Sequence, residues 1–174
     1  MTGNEKQLTY RTAWRRDAPQ EHRDALDFWA AHAILPETVD PSERARELIA
    51  NAYLGDRLVG VTTGVVARLP QFAREFVFVR CAVDPAARRS GVAYHLTEYA
   101  SRTLAQWARS DPDNRIAGTA AIVESPDLAG FSHTPIWPLI EPDAGDLRGG
   151  GVLVGYTRDG QQVRVCWFSH TVVH

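Results

Sequence analysis

The chain has 174 residues, 44% of them hydrophobic and 23% charged, enough for one well-buried domain and hardly enough for two. A formal net charge of -2 and a pI near 6.3 lack the basic footprint of a protein that lives on a nucleic-acid backbone, so a small or neutral partner is expected and no nucleic acid. No apolar run approaches the roughly 18 residues of a membrane helix, and "MTGNEKQLTY" has no apolar leader region, so the expectation is a soluble cytoplasmic protein with no membrane partner. Cys81 and Cys166 lie inside apolar, strand-like patterns without His or Cys at zinc spacing. That predicts two buried thiols, a reducing compartment and no metal.

Residues 7–14, "QLTYRTAW", alternate apolar and polar and predict a first strand. In "DAPQEHRDALDFWAAHAIL", Asp17 is the expected cap and Pro19 the first-turn residue, with Leu26, Trp29, Ala30 and Ala33 on one helical face. "DPSERARELIANA" repeats this grammar: Asp40 caps, Pro41 leads, Glu43 faces the positive end, and Ala45, Leu48, Ile49 and Ala52 form the apolar face of a second helix. From about Ala52 the period changes. "AYLGDRLVGVTTGVVARLPQ" is rich in Val and Thr and breaks at Gly55-Asp56, which predicts a hairpin. "EFVFVRCAV", residues 75–83, adds a strand apolar enough to be central.

Residues 91–109 place Val92, Leu96, Tyr99, Ala100, Leu104 and Trp107 at helical intervals, and "RIAGTAAIVES" supplies a buried strand from Ile116 to about Glu124. This strand, loop, helix and strand unit implies parallel pairing, and with it the α/β class. Residues 125–151, with four prolines and a glycine triplet, predict mostly loop with one helical turn around Asp127–Phe131. The last elements are two strands joined at Asp159-Gly160, a dipeptide suited to a tight turn.

The loop "CAVDPAARRSGVAYHL" carries the chemistry. If the strand ends near Val83 and the helix starts near Ser90 or Gly91, the amides of Arg89 to Ala93 include donors that no intrahelical carbonyl satisfies. Arg88 and Arg89 add forked cations, Gly91 permits close approach, and the site would suit a pyrophosphate. Read by itself, the same stretch also fits a solvated turn with a Ser cap. It is neither a P-loop nor a dinucleotide fingerprint.

Val83-Asp84-Pro85-Ala86-Ala87-Arg88-Arg89-Ser90-Gly91-Val92-Ala93, followed by Leu96, resembles the V-x-P-x-x-[RQ]-x-x-G-x-[GA]-x-x-L signature of the GNAT acyl-CoA N-acyltransferase superfamily, with Ala93 in place of the second glycine. The element order from about residue 7 to 168 resembles that fold as well. The resemblance implies a single GNAT-like α/β domain over 1–174, with a mixed central sheet of six or seven strands and three or four flanking helices. It implies acetyl-CoA, or another acyl-CoA, as co-substrate, held at the pyrophosphate by Arg88, Arg89, Ser90, Gly91, Val92 and Ala93 and along the pantetheine arm by Cys81, Ala82 and Val83. The implied reaction is direct acyl transfer to a primary amine of a small molecule or peptide.

Many relatives place a tyrosine after the fifth strand to protonate the departing thiolate, but no Tyr occurs here between Tyr99 and Tyr156. Substitute acids are Ser125, Ser132, His133 and Tyr156, with Glu124 as base directly or through water; each also has a plainer reading as a packing, capping or solvated residue. Trp137, between prolines in "HTPIWPL", either walls an acceptor pocket or anchors a long loop. Two alternatives follow from the missing tyrosine and from the breadth of the superfamily: a non-catalytic acyl-CoA-binding module, and a toxin acetylating aminoacyl-tRNA. The C-terminal hairpin is open to pairing across a homodimer.

Overall fold

A computed structural model describes residues 7–111, 113–131, 133–141 and 145–172. Its elements are β1 (Leu8–Thr12), α1 (Pro19–His32), α2 (Pro41–Arg46), β2 (Leu48–Leu54), β3 (Arg57–Leu69), β4 (Arg74–Val83), α3 (Val92–Ser110), β5 (Ile116–Val123), β6 (Val152–Tyr156) and β7 (Gln162–Trp167). The seven strands form one mixed sheet in the order β1-β2-β3-β4-β5-β7-β6. β4 and β5 pair in parallel, as the unit linked by α3 requires, while β5 with β7 and β7 with β6 pair antiparallel. The expected α/β class, mixed sheet and strand count are therefore present.

Two compact units divide the chain. One holds the described residues up to Gly64 together with Cys81–Ala100; the other holds Val65–Arg80 and the described residues from Ser101 onward. The core of the first collects Ala13, Ala18, Ala25, Phe28, Trp29, Ala45, Leu48 and Val61. That of the second gathers Leu69, Phe76, Ala117, Ala120 and Val165, with Trp167 set edge-on to Phe72 and Phe76 at 5.2 and 5.1 Å.

Three local expectations are corrected. Asp17 does not cap α1: Ala18 holds the cap position with no side-chain bond, because its methyl is buried in the core and Pro19 is already the first helical residue. Asp17 consequently falls outside the first turn. The buried face of α1 is Ala25, Phe28 and Trp29, whereas Ala30 and Ala33 are exposed. The second helix ends at Arg46, so Leu48, Ile49 and Ala52 belong to β2. Every residue of β2 from Leu48 to Tyr53 is buried, and a run buried on both faces carries no alternation by which to tell strand from helix. Asp40 does cap α2 as expected, accepting from the Ser42 amide at 2.8 Å.

Candidate functional site

Everything in the predicted cradle belongs to the first unit. β4 ends at Val83, and the buried Asp84 then organises the turn: its amide donates to the Val59 carbonyl at 2.9 Å, Oδ1 accepts from the Ala86 amide at 2.8 Å, and Oδ2 pairs with Arg57 at 3.4 Å. A short 3₁₀ turn, Pro85–Ala87, follows, and Ala87 is buried beneath it. The chain then turns outward. Arg89 and Gly91 take left-handed backbone angles, φ 63° and 83°, a conformation that costs an L-residue about 1–2 kcal/mol and glycine very little.

α3 begins immediately. The His95 amide donates to the Gly91 carbonyl at 3.0 Å, so the amides of Val92 and Ala93 precede the first turn's own bonds and lie at the positive end of a 19-residue helix. Val92 and Leu96 are buried and pin that end. Arg88, Arg89, Ser90, Gly91 and Ala93 are exposed around it. The Ser90 hydroxyl donates to the Ala87 carbonyl at 2.6 Å, which closes the turn. Because the Val92 side chain faces the core, only its backbone is left to meet a ligand.

Along β4, the registered pairs with β5 run from Glu75↔Ile116 to Phe78↔Ala120 and stop before Cys81 is reached. Ala82 and Val83 are half-buried. Cys81 has an exposed residue surface, yet its thiol is desolvated: burial pushes its pKa up to about 11, with a hydrogen bond to the Thr97 side chain acting in the opposite sense; Cys166 is buried as expected, its thiol donating to the Gly149 carbonyl at 3.1 Å.

The acid and base candidates belong to the second unit. Glu124 follows β5 directly, Ser125 opens the next loop, His133 lies in mid-loop, and Tyr156 ends β6; all four are exposed. Cross-strand register brings two of them to one end of the ladder, since Val123 faces Gln162 on β7 and Gln162 faces Tyr156 on β6. Ser132 lies outside the described residues. Among the described residues, no three His, Cys, Asp or Glu side chains cluster as a metal site.

Sequence reasoning missed Arg164. It is buried in β7, and its guanidinium donates five hydrogen bonds: to the Gln162 side chain at 2.9 Å and to the carbonyls of Trp137, Gly151, Phe131 and Thr134 at 3.3, 3.1, 2.8 and 2.8 Å. Burial pushes its pKa below the ordinary guanidinium value, with Tyr156 acting in the opposite sense. The loop it serves explains the arrangement. Pro126, Pro135 and Pro138 bring carbonyls but no N–H, and an irregular backbone needs donors that a sheet cannot supply. Arginine provides five donors and no acceptor. Its neighbours on the same face do likewise, Gln162 toward the Leu128 carbonyl and Cys166 toward that of Gly149. The one available signal was the alternation Gln162, Arg164, Cys166, a polar face that looks solvent-directed until the loop is known to cover it.

No protein-family model matches the chain, and no curated protein matches it. Solved structures do. A bacterial toxin superposes with a TM-score of 0.57 at 10% identity over 97% of this chain and 99% of its own. An acetyltransferase of the GNAT family from Streptococcus pneumoniae gives 0.51 at 13% over 92% and 97%. A mutant of the AtaT toxin, bound to the C-terminus of the antitoxin AtaR and acetyl-CoA, gives 0.51 at 14% over 93% of each chain. The chain has the GNAT fold. Identities this low establish the GNAT architecture and no more; the chemistry has to come from the residues themselves.

Proposed function

We propose that the chain, acting as one GNAT domain over 1–174, is an acyl-CoA-dependent N-acyltransferase, acetyl being the expected group. One observation carries this reading: the turn Arg88–Ala93, exposed apart from the Val92 side chain, sets two left-handed residues and two arginines at the start of α3. Such a site complements a pyrophosphate, each charge-assisted bond being shorter and stronger than a neutral one. Gly91 leaves the approach open, and the backbone of Cys81–Val83 is assigned to the pantetheine arm. A solved neighbour that binds acetyl-CoA supports the choice of co-substrate.

In the reaction, the amine nitrogen attacks the thioester carbonyl, the C–S bond breaks, the thiolate takes a proton and the amine gives one up. A backbone amide of β4 polarises the carbonyl. We assign Glu124 as base and Tyr156 as acid because both stand at the same end of the β5–β7–β6 ladder, with Ser125 and His133 as substitutes on the adjoining loop. Calorimetric titration of acetyl-CoA tests the first step, and absence of binding at millimolar ligand overturns the reading. Release of free CoA with an amine panel tests the second. A second reading, an acyl-CoA-binding module without turnover, draws on the missing tyrosine after β5; it predicts tight binding with no thiol release from any amine. Toxicity is the third, drawn from the toxin neighbours, and growth arrest on expression is its check.

A further inference from the structure

His95 stands at a position that the V-x-P-x-x-[RQ]-x-x-G-x-[GA]-x-x-L pattern leaves open. In α3 it lies one turn after Gly91, to whose carbonyl its amide donates at 3.0 Å. Side chains on a helix slant back toward its N-terminus and cover the turn before their own Cα, so the imidazole is carried toward the Arg88–Ala93 turn rather than away from it. Distances agree with that direction: a Cβ built on Gly91 would lie 3.5 Å from Cδ2 and 3.6 Å from Nε2 of His95. Where Gly91 has no side chain of its own, the Nε2 edge of His95 is its neighbour.

The surroundings leave this ring its nitrogens. His95 is exposed, its ring stands edge-on to that of Tyr94 with centroids 5.0 Å apart and planes at 78°, and among the described residues no hydrogen-bond partner meets the ring nitrogens. Nearby carboxylates are engaged elsewhere. Asp84 is buried against Arg57 and the Ala86 amide; Glu98, three residues on along α3, acts on Tyr10 of β1, whose pKa is raised by burial first and by that carboxylate second. Tyr99, one turn beyond His95, is held by the Tyr10 ring at 4.5 Å and the Thr12 hydroxyl at 2.8 Å. On the other side, Arg88 and Arg89 are exposed in the turn and carry permanent positive charge beside the positive end of the helix. An anion held there supplies the counter-charge that an imidazolium at this place otherwise lacks.

We propose that His95 is a further ligand of the cradle: as imidazolium it donates from Nε2 to the pyrophosphate of acyl-CoA, so that co-substrate binding takes up a proton and tightens as pH falls. The inference rests on the acyltransferase reading for the identity of the ligand. Its test is calorimetry on the full chain with dephospho-CoA, which keeps the pyrophosphate and lacks the 3′-phosphate, a group that itself changes charge at about pH 6 and would oppose the effect. Titration at about pH 7 in two buffers of different ionisation heat counts the protons taken up. The wild-type chain is expected to take up a fraction of one proton and to bind about fivefold more tightly at about pH 6 than at about pH 8. His95→Gln keeps a donor but cannot be charged, and should bind with one affinity across that range and no uptake, its circular dichroism staying native. A ring that only packs on Gly91 would leave proton uptake unmoved by that substitution. Should His95→Gln unfold, His95→Lys, charged throughout the range, takes its place and should bind tightly at both ends without uptake. Dephospho-CoA that binds without proton uptake, or uptake that persists in a folded variant, overturns the proposal and leaves the acyltransferase reading standing; absence of binding at millimolar ligand overturns both.

Discussion

The Arg88–Ala93 turn and the 124–151 segment are both irregular stretches that follow a strand, yet they are built in opposite ways. The first is closed almost entirely by neighbours in sequence: Asp84 to Ala86, Ser90 to Ala87, His95 to Gly91. The second is held by a residue between 13 and 33 positions away, since Arg164 reaches back to the carbonyls of Gly151 and Phe131. Short-range closure makes a site that a sequence motif can report. Long-range closure makes one that it cannot, because any segment with enough carbonyls and too few amides could be the client of a buried arginine.

Substitutions break this comparison from either side. The largest effect is expected at Gly91→Trp, which places a bulky side chain at φ 83° in the mouth of the turn; acetyl-CoA binding by calorimetry should vanish while circular dichroism stays native, and retained affinity would mean that the turn is not the cradle. Arg164→Met comes next. It leaves the Trp137 and Thr134 carbonyls and the Gln162 amide oxygen without this donor, while those of Gly151 and Phe131 keep the amides of Trp137 and Thr134; at about 1–3 kcal/mol for each that water cannot reach, denaturant unfolding should show a loss of about 3 kcal/mol. Hydrogen exchange should quicken in 131–137 while exchange in the Arg88–Ala93 turn is unchanged. Equal loosening of both stretches would erase the distinction drawn between them.

Arg88→Ala is a milder test, since the amides remain: acetyl-CoA affinity should fall about tenfold, and by less at high salt. An affinity unchanged within error returns Arg88 to the solvated surface. Smallest is Asp84→Ala, which removes one turn-closing bond and a partner of Arg57. A loss of about 1 kcal/mol in thermal or chemical unfolding is expected, as for other caps, together with weaker acetyl-CoA binding. Weaker binding without lost stability would make Asp84 a ligand-facing group, contrary to its burial.

Much of the architecture was legible from the chain because its signals are local. Pro41 after Asp40, the break at Gly55-Asp56, the turn at Asp159-Gly160 and the apolar spacing of α3 each declare an element with no knowledge of the rest. Legibility failed where burial was complete. β2 read as helix because Leu48 to Tyr53 are all inside.

By itself, then, the sequence determined the order of elements, the parallel β4–β5 unit and the turn at Arg88–Ala93, since helix caps, turn residues and left-handed glycine act over a few residues. Tertiary structure alone decided that a polar strand face at Gln162, Arg164 and Cys166 points inward, and that a proline-rich loop is pinned there. The physical reason is that a backbone carbonyl specifies no partner in sequence; it takes whichever donor the fold brings within about 3 Å.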